Sequence, residues 1–171
     1  MEANANVRTG LLAIVSGGLI VGCLDLAYAI IVYSPKAPIL VPQAIASGIL
    51  GKASFTGGAS SAVLGVVCHF FIALSIATVY YLASRKLPVL VQNAVPCGMA
   101  YGLMVYCVMH GLVLPLSNVS HRPIPPVYIV TEFIEHAFFV GLPVALTTRY
   151  FSRIALSRAA SNSLGRSIIT K

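Results

Sequence analysis

The stretch Thr131-Glu132-Phe133-Ile134-Glu135-His136-Ala137 sets two carboxyls and an imidazole inside an apolar run, where charge is costly. The chain has only four acidic residues and four histidines, and half of the acids are here. Three more ionisable groups sit inside other apolar runs: Asp25, His69 and His110. Imidazole with carboxylate suits a first-row divalent metal, Zn, Fe, Mn or Cu. On a helix, Glu132/His136 at i+4 and Glu132/Glu135 at i+3 share one face, a known way to aim ligands into a bundle. The Glu-x-x-His spacing of di-iron bundles is absent.

Protons are the second chemistry such groups serve. Burial disfavours the charged form of carboxyl and imidazole alike, and a chain of Asp, Glu and His can bind or relay protons. Haem is the third, with His69 and either His110 or His136 as axial ligands; the carboxyls argue against it. Hydrolysis is the weakest, because no H-E-x-x-H and no nucleophile elbow accompany the cluster, so an enzyme is not the expected reading. A structural role competes with all of these: buried polar groups also lock helices together by hydrogen bonds.

Four apolar runs must position these groups. The chain is 58% hydrophobic and 9% charged, with a mean hydropathy of +0.91, against about 25% charged residues in soluble domains. That predicts an all-α integral membrane protein, a four-transmembrane-helix bundle in one domain over residues 1–152. The expected spans are 10–33, 62–83, 89–114 and 127–149, preceded by a short polar stretch, 1–8. Ile20-Val21-Gly22-Cys23 and Ala27-Tyr28-Ala29 imitate processing sites, but the apolar run continues past both, so the first span is expected to be retained. Ser34-Pro35-Lys36-Ala37-Pro38 stops it. Val41, Ile45 and Ile49 then recur every four residues in a segment too short to span, read as an interfacial or re-entrant helix. Ser60 or Ser61 is the expected cap of the second span. Pro96 should bend the start of the third, and Gly141 with Pro143 should kink the fourth.

Within the spans, Gly18-x-x-x-Gly22 and Gly98-x-x-x-Gly102 are small-residue motifs that let helices approach closely. His69, Ala73, Ile76 and Tyr80 form one stripe, and Gly102, Tyr106 and His110 form one ridge. Tyr28, Tyr80 and Tyr106 are therefore candidates to support the ligands. Cys23, Cys68, Cys97 and Cys107 form no C-x-x-C pair and read as small buried hydrophobes. The connection 115–126 is rich in proline, holds His121 and Arg122, and contains Asn118-Val119-Ser120, a glycosylation sequon.

The cations set the orientation. Arg8, Arg85, Lys86 and the five of the tail (Arg149, Arg153, Arg158, Arg166, Lys171) would share one side, against Lys36, Lys52 and Arg122 on the other. The imbalance places both termini in the cytoplasm. The tail, 153–171, should lie on anionic lipid. No basic motif points to nucleic acid despite the +7 net charge. Counted at 1.5 Å per residue, all six ionisable groups fall roughly 8 to 14 Å inside the outer boundary, although four helices running in alternating directions did not have to agree.

His69, Val108-Met109-His110…Leu114-Pro115-Leu116 and Glu132-x-x-x-His136 resemble a pattern found in YagU-like bacterial inner-membrane proteins. The likeness covers about residues 62–152, including the basic turn Arg85-Lys86 and the proline-rich connection. It implies a protein of the bacterial cytoplasmic membrane and no reaction. His69, His110, Glu132 and His136 match the pattern; Asp25 and Glu135 do not. The glycine motifs leave a homo-oligomer, or docking as an accessory subunit of a larger membrane complex, as the expected alternative.

Overall fold

The computed structural model describes residues 2–119 and 125–169, with the side chains of 2–6, 159 and 162–169 outside that description. Among the described residues there is helix and no strand. Helix α1 is Glu2–Tyr33, α2 Leu40–Leu50, α3 Gly58–Lys86, α4 Val89–Gln92, α5 Ala94–Val108, α6 Pro126–Glu135 and α7 Leu142–Ile169. Two π-helical turns, Met109–Val113 and His136–Gly141, extend α5 and join α6 to α7. Four stretches are long and apolar enough to cross a membrane: Val7–Tyr33, Gly58–Lys86, Ala94–Val113 and Pro126–Arg158. That points to a membrane protein.

The packing has the pattern expected where water does not drive association. Small residues lie inside and large apolar ones outside. On α3 the buried positions are Ser61, Gly65, His69, Ala73, Ala77, Tyr80 and Ser84, close to one every helical turn, whereas Val63, Val67, Phe71, Val79 and Leu82 face outward. Helix α1 packs between α3 and α7, and α5 packs along α7 and the π turn before it. Both glycine motifs are seams within this bundle. A side chain at Gly18 would run into Leu74, and at Gly22 into Phe70. One at Gly98 would meet Ala145 and the Gly141 carbonyl; one at Gly102 would collide with the His136 carbonyl. The glycines therefore hold this chain's own helices and do not form an outward docking face.

Several local expectations change. Residues 2–8 are helical, continuous with α1. Helix α2 exists, but its stripe is not Val41/Ile45/Ile49. It buries Val41, Pro42, Gln43, Ala46 and Ser47 and leaves Ile49 58% exposed, because the Pro42 carbonyl lies against Gly65 with no room for a side chain there. Asn118 closes its far end, its backbone N–H donating to Gly48 O and its amide to Ile49 O. No side chain caps α3. Gly57 stands at its N-cap, and the Ser61 hydroxyl donates to Ser54 O and Gly58 O. The third span breaks at Asn93, before Pro96, since a proline in the first helical turn removes no bond. The fourth runs on helically into the tail, to Ile169. Its irregularity is the π turn ending at Gly141, ahead of Pro143. Cys23 and Cys107 are exposed and all four cysteines are free. His121, Arg122 and Ser120 of the sequon lie outside the described residues.

Candidate functional site

Asp25, His69, His110, Glu132, Glu135 and His136 gather at the end of the bundle where α1 and α5 finish and α3 and α6 begin. They meet as three carboxylate–imidazole pairs. His110 Nε2 stands 3.0 Å from Glu132 Oε2, His136 Nδ1 2.7 Å from Glu135 Oε2, and His69 Nδ1 4.0 Å from Asp25 Oδ2. The first and second pairs are linked, because the Glu132 carbonyl also accepts from His136 Nδ1 at 3.0 Å. Asp25 is within electrostatic reach of His136 and Glu132 as well as His69. The six groups thus make one polar layer.

Each imidazole is tethered by one ring nitrogen to a backbone carbonyl. His69 Nε2 is 2.8 Å from Gly22 O, His110 Nδ1 3.2 Å from Tyr106 O, and His136 Nδ1 3.0 Å from Glu132 O. A carbonyl only accepts, so that nitrogen must carry the hydrogen. The tautomers follow: Nε2–H for His69, Nδ1–H for His110 and His136.

The three pairs then differ in kind. His136 gives one N–H to both Glu132 O and Glu135, which leaves its Nε2 as the lone-pair nitrogen. His110 brings Nε2 to 3.0 Å from Glu132 Oε2, but that buried oxygen has no aligned hydrogen-bond partner. His69 faces Asp25 beyond direct hydrogen-bond range.

Aromatic rings and helix irregularities frame the layer. Tyr106 stacks on His110 at 4.1 Å between centroids and meets the edge of His136 at 5.4 Å. The Tyr33 hydroxyl donates to Glu132 Oε1 at 2.6 Å, and Tyr33 also packs against Tyr28 and Tyr128. His110 lies in one π turn and His136 opens the other; such turns concentrate at functional sites. The Glu135 side chain is only 2% exposed, and its Oε1 has no hydrogen-bond partner.

Tyr106 stands in the layer and Tyr28 beside it. Tyr80 does neither. It is fully buried at the other end, donating to Leu90 O at 2.9 Å and packed on Tyr101. Tyr33 was missed, although its position at the end of the first apolar run puts it level with Glu132. Among the described residues no three His, Cys, Asp or Glu side chains are gathered as a metal's ligand set.

The chain matches no family model, no curated protein and no solved structure. A functional reading therefore rests on the layer's own chemistry.

Proposed function

We propose that this chain is a small multi-pass membrane protein whose Asp/Glu/His layer binds protons near the extracytoplasmic face. The observation that carries the reading is His110 Nε2 standing 3.0 Å from Glu132 Oε2, a buried carboxylate oxygen with no hydrogen-bond partner, so that a proton bound there would have an imidazole beside it. Glu135 and His136 adjoin it, with His136 Nε2 as a neighbouring acceptor. Tyr33 at the end of α1 marks the outer edge of the layer. The balance of basic residues favours cytoplasmic termini, and the resemblance to YagU-like proteins favours a bacterial inner membrane. Helix α2, with Ile39, Leu40, Ile49 and Leu50 turned outward, suits an interfacial or re-entrant position.

The test is infrared difference spectroscopy of the reconstituted protein across a pH titration. A carboxyl band that shifts in wild type and disappears in Glu132→Gln supports the reading. A titration with no carboxyl or imidazole signal overturns it and leaves a network that only locks helices, as in an accessory subunit.

One observation favours a second reading, a divalent transition metal. Metal-bound imidazoles hold their other N–H on a carbonyl or carboxylate, and all three here are held that way. Element analysis of wild type against His69→Ala and His136→Ala decides it: equal, negligible metal in all three removes the metal.

A further inference from the structure

The end of the bundle opposite the polar layer carries the charge. Arg8, Arg85, Lys86, Arg149, Arg153 and Arg158 lie there, at the start of α1, the end of α3 and along α7. Among the described residues every ion pair involves a histidine, so none of these six pairs with a described carboxylate. Three of the four acids are committed to the polar layer, and the fourth, Glu2, has its side chain outside the described ones. Countercharge for this end must therefore come chiefly from outside the chain.

The structure offers one built place for it. Where α1, α3 and α7 meet, Thr9, Tyr81, Arg85, Phe151 and Ser152 line a recess with room for a water-sized group. Tyr81 and Arg85 are four residues apart on α3, hence on one face. Gly10 gives room to the Tyr81 hydroxyl, which a side chain at that position would meet. Phe151 supplies an apolar wall. A guanidinium fork beside hydroxyl donors suits phosphate oxygens. The position, at the last turn of α3 and beside the outward-facing Leu82, is where a spanning helix leaves hydrocarbon for headgroups.

We propose that this three-helix corner binds an anionic phospholipid headgroup through one phosphate oxygen, which the water-sized recess admits, held by Arg85 with Tyr81 and Ser152. The inference rests on the bilayer reading and is independent of the proton reading. It differs from diffuse attraction of the basic tail to a leaflet, because it assigns the lipid to one arginine.

The experiment is native mass spectrometry of the full chain in mild detergent. The probes are phosphatidylglycerol, phosphatidylcholine and inorganic phosphate. One phosphatidylglycerol should be retained. Arg85→Gln should weaken its retention about tenfold, the scale of one charge-assisted hydrogen bond, and Tyr81→Phe about threefold to fivefold. Arg158→Gln, away from the recess, should change it less than about twofold. Equal losses in Arg85→Gln and Arg158→Gln overturn the site in favour of diffuse attraction. Retention of phosphatidylcholine as strong as that of phosphatidylglycerol overturns the anionic specificity, and displacement by inorganic phosphate overturns the lipid source. Extraction of the chain without detergent would instead sink the bilayer reading itself.

Discussion

The two halves of this bundle are built from the same four helices and joined by different means. In the half nearer the termini, small side chains bring backbones together. Ala73, Ala77, Val140, Val144 and Ala145 form its core with Val21, and Gly141 lies directly on Gly98 and Gly102. In the other half, imidazoles and carboxylates reach across the helices; the π turn Met109–Val113 lies there, and His136–Gly141 runs from it into the packed half. Close packing fixes where the helices cross, which leaves the polar half free to carry groups that packing alone would reject. The packed layer also lies between the ionisable groups and the opposite end.

That contrast can be broken from either side. The largest effect belongs to the packed half. Gly141→Leu would drive a side chain into the backbone of α5, and we expect a loss of about 3 kcal/mol or more, read as unfolding at lower denaturant in mixed micelles. Next is Ala77→Asp, which puts a carboxyl where no imidazole waits. It should cost roughly 2.5–3.5 kcal/mol, and a cost as small as that of an outward-facing substitution would show that the two halves are not distinct. In the polar half, Glu135→Ala removes a partner of His136 Nδ1 but leaves its bond to the Glu132 carbonyl. A loss of about 1–3 kcal/mol follows, with helix content unchanged by circular dichroism. Smallest is Tyr33→Phe, which deletes one hydrogen bond to Glu132 and should cost about 1 kcal/mol.

Much of this was legible in the chain, and the gaps have physical causes. Run length revealed the four spans, and counting along them put Asp25, His69, His110 and Glu132 at one level. Pairing was not legible. Residue counts fix depth, whereas azimuth depends on the π turns, each adding a residue and about 100° of rotation. No spacing in Met109–Val113 or His136–Gly141 announces them. Tyr80 was misplaced for the opposite reason. It shares a face with His69, but it stands eleven residues away, roughly 16 Å along the axis. The glycine motifs were correctly read as close-approach sites. What they meet is set by the fold: Leu74, Phe70 and the backbone around His136 and Gly141. On α2, hydropathy picked Ile49, which faces outward, along with Val41, because the buried face combines Val41 and Pro42 with the less apolar Gln43, Ala46 and Ser47. Gln43 is held there by the Gly58 carbonyl at 3.0 Å.

The most direct measurement is solid-state ¹⁵N NMR of histidine-labelled protein in lipid bilayers. With its tethers as described, His69 should carry its hydrogen on Nε2, and His110 and His136 on Nδ1. Glu132→Gln should change the protonation state of His110 and leave His69 as it was. A neutral His110 protonated on Nε2, or a His110 signal indifferent to Glu132→Gln, would contradict the account.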